Sequence, residues 1–218
     1  MKKEIKLHEA VAMVKDNMTV MVGGFLGCGS ANTILTELAK TGVRNLTMIC
    51  NDTAYPDRGN GQLIVGGQVS RVVVSHIGTN PVTGEKMTSG ELKVDFVPQG
   101  TLAECIRAAG AGLGGVLTTT GLGTVCAEGK QVINIDGKDY LLEKPIHADL
   151  AIIGASVADE SGNLVYKGTT QNFNPLMAMA ADKVIVEADE VVPVGSISPE
   201  AVHTPNIFVD YIYRKGAE

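Results

Sequence analysis

The chain has 218 residues, 44% of them hydrophobic and 19% charged. That composition supplies a full core for one domain over residues 1–218 and excludes a disordered chain. A formal net charge of -6 and the absence of tryptophan argue against a nucleic-acid partner, which selects a basic face and stacking aromatics.

No apolar run reaches the roughly eighteen residues of a membrane span. The opening MKKEIKLHEA has no apolar stretch behind its lysines, so no secretion signal, no membrane contact and a cytoplasmic setting are expected. Cys28, Cys50, Cys105 and Cys126, and His8, His76, His147 and His203, are scattered without CxxC, HExxH or finger spacing. Reduced thiols and no metal site are the expectation.

Residues 5–14 carry apolar side chains at helical spacing. The run 18–22 (MTVMV) reads as a buried strand and leads into VGGFLGCGS, with glycine at positions 23, 24, 27 and 29. Ser30 or Asn32 is placed to cap a helix through Leu35 and Leu38, and Gly42 to stop it. A second apolar strand, 46–50 (LTMIC), follows. This order indicates an α/β fold with a central, mostly parallel sheet flanked by helices. Further strands are expected at 71–75, 92–97, 149–154 and 183–186, and helices at 101–109 and 175–181. VINI, Asp136-Gly137 and YLL predict a β-hairpin near 132–143. The Gly/Thr-rich run 110–123 reads as loop.

The glycine loop raises the question of what its backbone approaches. Gly24 and Gly29 have P-loop spacing, but Ser30 stands in place of the lysine, and no Lys or Arg lies between Lys15 and Lys40. A dinucleotide fingerprint begins at Gly27 and Gly29 but meets Asn32 where its third glycine belongs. Asp52 stands where a ribose contact would, roughly twenty residues on. Two readings stay open: a tight turn packed on a neighbouring segment, or a bare edge whose N–H groups meet a carbonyl or oxyanion. The missing basic residues fit the oxyanion better than a phosphate. Cys28, near a helix start, has no histidine tied to it by motif and reads as a small, partly buried packing residue. Ser75-His76 is adjacency rather than a triad, since no GxSxG is present. Glu104 suits an early helix turn and reads as structural.

Gly23-Gly24-Phe25 with Gly29, after the strand 18–22, resembles the signature of family I coenzyme A transferase α subunits, with Ala31 where that family has proline. The resemblance extends through Cys50-Asn51-Asp52-Thr53-Ala54, Ser75-His76-Ile77-Gly78-Thr79-Asn80-Pro81, Ser89-Gly90-Glu91-Leu92 and Pro98-Gln99-Gly100-Thr101-Leu102-Ala103-Glu104. It continues in Gly121-Leu122-Gly123-Thr124, Asn172-Phe173-Asn174-Pro175-Leu176-Met177-Ala178 and His203-Thr204-Pro205. Gln171 stands where the family commonly has arginine. The bacterial acetate/butyrate–acetoacetate branch is the most similar.

The resemblance implies half an enzyme. The family's nucleophilic glutamate belongs to a β subunit and sits in a motif absent from this chain, so a β partner in an αβ assembly is expected. Acyl-CoA and a short-chain acid are the implied substrates, with coenzyme A as substrate and no permanently bound cofactor. Asn51 and Gln99 are the implied catalytic amides: Asn51 donates to an acyl or oxyanion oxygen, and Gln99 orients the substrate or the partner's glutamate. Gly23, Gly24, Phe25, Leu26, Gly27, Cys28 and Gly29 are the implied wall along the thioester and pantetheine arm. The charge gap from Lys15 to Lys40 places the phosphates of CoA on the partner. The alternative is a standalone sugar-phosphate-isomerase-like or small-molecule-binding α/β domain, which needs basic residues and an acid/base pair of its own.

Overall fold

The computed structural model describes residues 3–217. In the first half strands and helices alternate: α1 (Leu7–Ala12), β1 (Thr19–Val22), α2 (Asn32–Leu38), β2 (Leu46–Asp52), α3 (Gly61–Val65), β3 (Val69–His76), α4 (Pro81–Ser89), β4 (Lys93–Phe96) and α5 (Gln99–Gly110). A small antiparallel sheet follows, from β5 (Val116–Thr118), β6 (Val132–Ile135) and β7 (Lys138–Glu143). The chain then returns through β8 (Ala148–Asp159), β9 (Leu164–Val165), α6 (Asn174–Met179), β10 (Ala181–Val192) and β11 (Tyr211–Arg214).

The main sheet runs in the order β11-β10-β8-β1-β2-β3-β4, each neighbouring pair parallel, with short β9 antiparallel to the end of β8. Central parallel strands are covered on both faces and so read as nearly unbroken apolar runs, as TVMV and LTMIC do. Side chains alternate between the faces. Val20 and Val22 pack with Ile34, Leu35 and Leu38 of α2 on one side, while Met21 packs with Leu102 and Ile106 of α5 on the other. Each such fully buried Leu or Ile contributes roughly 1.5–3 kcal/mol over its exposed state, and a charge at Met21 would open the centre of the sheet.

The expected parallel sheet and the hairpin at 132–143 are both present. Five elements escape the hydrophobic pattern, among them the strands β9 and β11. α3 has five residues, α4 buries only Thr83 among its nine, and β5 lies inside the Gly/Thr-rich run expected to be loop. β8 and β10 each run 12 residues, well past the short apolar stretches that announce them.

The start of α2 departs from expectation. Its N-cap is Ala31, and neither Ser30 nor Asn32 caps it with a side chain. Glu187, from the middle of β10 and buried, serves instead. Its Oε2 accepts the backbone N–H groups of Thr33 and Ile34, both at 2.9 Å, and its Oε1 accepts the Thr33 hydroxyl at 2.8 Å. A carboxylate here meets the unpaired amides and the positive end of the helix together.

Candidate active site

The direction of winding reverses at β1: β2 to β4 lie on one side of it and β8 to β11 on the other. In an open parallel sheet, the crevice at the carboxyl ends of the strands beside such a switch point receives the ligand. The glycine loop leaves β1 into that crevice. Asn51 and Asp52 end β2, Ser75 and His76 end β3, and Gln99 opens α5 beyond β4.

Within the loop, Phe25 and Cys28 exchange backbone N–H···O bonds of 3.0 and 2.8 Å. Between them, Leu26 and Gly27 have φ of 51° and 84°, the left-handed pair of a type I′ turn. A Cβ on Gly23 would stand 1.7 Å from Asn174 Oδ1, and one on Gly24 1.8 Å from Ser30 Oγ. Both glycines are buried. At position 29 a Cβ would meet the Thr170 carbonyl at 2.5 Å, whereas at position 27 it would make only ordinary van der Waals contact, with Arg58 Cδ at 3.6 Å. Of the two readings of this loop, the packed turn therefore describes positions 23, 24 and 29, and the exposed edge is confined to the stretch from Phe25 to Cys28.

The N–H groups divide the same way. Those of Gly23, Gly24, Phe25, Leu26 and Cys28 already donate to Ile152 O, Asn172 Oδ1, Cys28 O, the Asp52 carboxylate and Phe25 O respectively. Among the described residues, the N–H groups of Gly27 and Gly29 have no acceptor.

The structure brings the two predicted amides together. Gln99 Nε2 donates to Asn51 Oδ1 at 2.7 Å, and Ser75 Oγ donates to Asn51 O at 2.6 Å and to Asn51 Oδ1 at 3.2 Å. Asn51 Nδ2 donates to Asp52 Oδ2 at 2.8 Å. Asn51 is 1% exposed, and Gln99 lies over it at the surface. An amide has two N–H groups, so one N–H on each remains for a ligand. The Ser75 hydroxyl thus orients Asn51, and no Ser–His dyad forms. Behind Asn51, burial and then the nearby Asp52 charge push the Cys50 thiol far above its usual range, which keeps it protonated and unreactive.

Phe25 and Gln99 stand between two cavities. One, of about 430 Å³, is lined by Leu26, Asn51, Asp52, Ser75 and His76 as well. The other, of about 550 Å³, is more apolar, with Ala103, Phe173 and Leu176 in its wall. Behind the loop a groove of about 490 Å³ runs past Gly27, Asn32, Arg58 and Gln62. A larger groove of about 990 Å³, between α1 and α2, lies apart from the residues at the carboxyl ends of the strands.

Three expectations need correction. Asp52 does not face a ribose: it is buried, and its carboxylate is engaged by Leu26, Ala54 and Asn51. Cys28 is exposed rather than packed, with its sulfur 3.7 Å from Thr169 Oγ1. The charge gap in sequence is filled in space, because the turn after β2 carries Arg58 to the side of Gly27. That guanidinium lies 5.1 Å from the centre of the Tyr55 ring and 3.3 Å from Asp57. Glu104, in the second turn of α5, pairs with Arg107 at 2.8 Å. Among the described residues no helix is long and apolar enough to cross a membrane.

Comparison with known proteins is consistent along the whole chain. The family model for coenzyme A transferase matches residues 5–215. The chain is 53% identical over 210 residues to the acetate CoA-transferase subunit alpha of Escherichia coli K12, covering 96% of each. It is 50% identical over 215 residues to the acetoacetyl-CoA:acetate/butyrate CoA transferase alpha subunit of Clostridium acetobutylicum, covering 99% of each. Its fold superposes with a TM-score of 0.87 on an acyl-CoA transferase of Escherichia coli O157:H7 solved as a thioester complex with CoA. That pair is 24% identical, and the match covers 98% of this chain and 50% of the other.

Proposed function

The chain belongs to the coenzyme A transferase family, and on that footing we propose that, paired with a β subunit, it moves coenzyme A between a short-chain acyl-CoA and a short-chain acid. Acetate, butyrate and acetoacetate are the substrates the relatives' names suggest. The single observation that carries the reading is the Asn51–Gln99 pair at the mouth of the crevice, set beside a carboxylate, Asp52, that is wholly engaged.

The nucleophile comes from the partner. A β-subunit glutamate attacks the thioester carbonyl, and the electron pair passes to the carbonyl oxygen. Collapse expels CoA as thiolate and leaves an acyl-glutamyl anhydride. The thiolate then attacks the glutamyl carbonyl, releasing the first acid as its carboxylate and leaving a glutamyl-CoA thioester. The acceptor carboxylate repeats the two steps in reverse. Each tetrahedral oxyanion needs donors already in place. The free N–H of Asn51 supplies one, and Gln99 orients the attacking carboxylate. Neutral amides polarise an oxyanion without holding the released acid as a cation would.

The pantetheine arm lies along the exposed stretch of the loop from Phe25 to Cys28, with Phe25, Leu26 and Cys28 as its contact surface and the Gly27 N–H as donor. Arg58 offers one guanidinium at the end of this wall, partly shared with Asp57, and the partner holds the remaining phosphate charge. CoA enters as substrate and no bound cofactor takes part. Residues 1–218 form the α-subunit domain of this cytoplasmic enzyme. Co-purification with the β subunit and an assay of acetoacetyl-CoA formation from acetoacetate and a short-chain acyl-CoA tests the reading: turnover supports it, and a stable complex without turnover refutes it.

A further inference from the structure

The crevice holds one acid that the proposed chemistry does not use. Asp52 is 3% exposed. Its carboxylate accepts the Leu26 N–H at 3.0 and 3.2 Å, the Ala54 N–H at 2.8 Å and the Asn51 side-chain N–H at 2.8 Å. Leu26 and Ala54 are both non-glycine residues in the left-handed region, with φ of 51° and 47°. Such conformations persist only where the surroundings hold them, and here one carboxylate binds the N–H of both. It therefore ties the turn after β1 to the turn after β2.

The same carboxylate sets a direction. A side-chain amide can present either its oxygen or its NH₂ to a neighbour, but an ionised carboxylate only accepts. With Asp52 beside it, Asn51 must turn its nitrogen to Asp52 and its oxygen to Ser75 and Gln99. Gln99 must in turn present nitrogen. The second Asn51 N–H, and not its oxygen, is then the group left without a partner among the described residues.

The geometry points to Asp52 as a positioning residue for CoA transfer: its charge orients the Asn51–Gln99 pair and holds the glycine-loop turn against it. This inference rests on the transferase reading above. Asp52→Asn removes the obligatory acceptor at nearly constant shape, since an amide at position 52 can present either end to Asn51.

The test uses the assembled αβ enzyme and the full-length chain. In the assembly, Asp52→Asn is expected to lower kcat by roughly 10- to 100-fold, less than the roughly 10²- to 10³-fold of a lost oxyanion donor because Asn51 itself remains, with KM for the acid changed by less than about 3-fold. In an Asn51→Ala background the same substitution is expected to cost nothing further, whereas a merely structural loss would cost the same factor in both backgrounds. On the full-length chain labelled with [¹⁵N]asparagine and [¹³C]aspartate, a scalar coupling through the hydrogen bond from Asn51 Nδ2 to the Asp52 carboxylate carbon is expected. An unchanged kcat, an equal cost in the two backgrounds, or no Asn51–Asp52 coupling in the unsubstituted chain overturns the inference. If the unsubstituted complex transfers no CoA, the functional reading fails, while the coupling measurement, which needs no turnover and no variant, still decides the orientation of Asn51.

Discussion

Gln99 Nε2 donates to Asn51 Oδ1 across 2.7 Å, joining the first residue of a helix to the end of a strand 48 positions earlier. Each amide has another N–H to offer, so the pair acts as one device. Asn51→Ala should lower kcat by about 10²- to 10³-fold, the scale of a lost oxyanion donor. Gln99→Ala should raise KM as well as lower kcat, because it orients substrate and also fixes Asn51. The double variant should lose less than the product of the two single losses. Steady-state kinetics of the three variants in the assembled enzyme checks this.

The long-range helix cap gives a stability prediction. Glu187→Ala leaves the N–H groups of Thr33 and Ile34 without their acceptor, which should cost about 1–2 kcal/mol, as loss of a good N-cap does. Glu187→Gln retains an accepting oxygen and should cost less. Urea unfolding of both variants measures the difference. Because α2 follows directly on the glycine loop, the Ala variant should also show faster proteolysis near residue 30.

Two buried groups predict how stability changes with pH. Burial alone would raise the Asp159 carboxyl, but the Ser161 hydroxyl, the Asn163 amide and the backbone N–H groups of Asn163 and Gly162 outweigh it and hold it below its ordinary 3.8. The unfolded chain therefore takes up the proton first. The stabilisation is complete above about pH 4 and is lost as pH falls through the native value. Tyr166 is pushed up to about 12 by burial, against the Thr204 hydrogen bond that lowers it. Its contribution is complete below pH 10 and is lost as pH rises toward 12. Denaturant midpoints across pH should fall at both ends. Tyr166→Phe should flatten the alkaline fall, and Asp159→Asn the acid one.

The proposed division of CoA binding between the chains gives a prediction. The isolated chain should bind CoA too weakly for calorimetry to detect at micromolar concentrations, since Arg58 is the cation beside Gly27 and is partly shared with Asp57. In the assembly, Arg58→Ala should raise KM for acyl-CoA by less than about 10-fold and leave kcat nearly unchanged, the pattern of a group that binds ground and transition states alike. Tight binding by the isolated chain would contradict this division.

Much of this architecture is legible in the residues themselves. MTVMV and LTMIC are apolar on both faces because parallel strands are buried on both faces, and Asp136-Gly137 marks the hairpin because a primed turn needs φ > 0. α4 is not legible in this way, since PVTGEKMTS buries only Thr83 and so shows no apolar stripe. Asn51 and Gln99 were identified through a family resemblance, and their contact could not be read from spacing. What presses on Gly23 and Gly29 is likewise invisible locally, because Asn174 and Thr170 arrive from the far end of the chain. The same holds for Glu187 at the head of α2 and for Arg58 beside Gly27. Each is a meeting of distant segments at the sheet's switch point, and none leaves a periodic signal.

The central claim is that this chain supplies the donors and its partner supplies the nucleophile. The most direct test incubates the αβ enzyme with acetoacetyl-CoA without an acceptor acid and maps the covalent CoA adduct by peptide mass spectrometry. The account predicts a glutamyl-CoA thioester on the β chain and none on this one. An adduct on Asp52, Cys28 or any other residue of this chain, or turnover with no adduct on either chain, would contradict it.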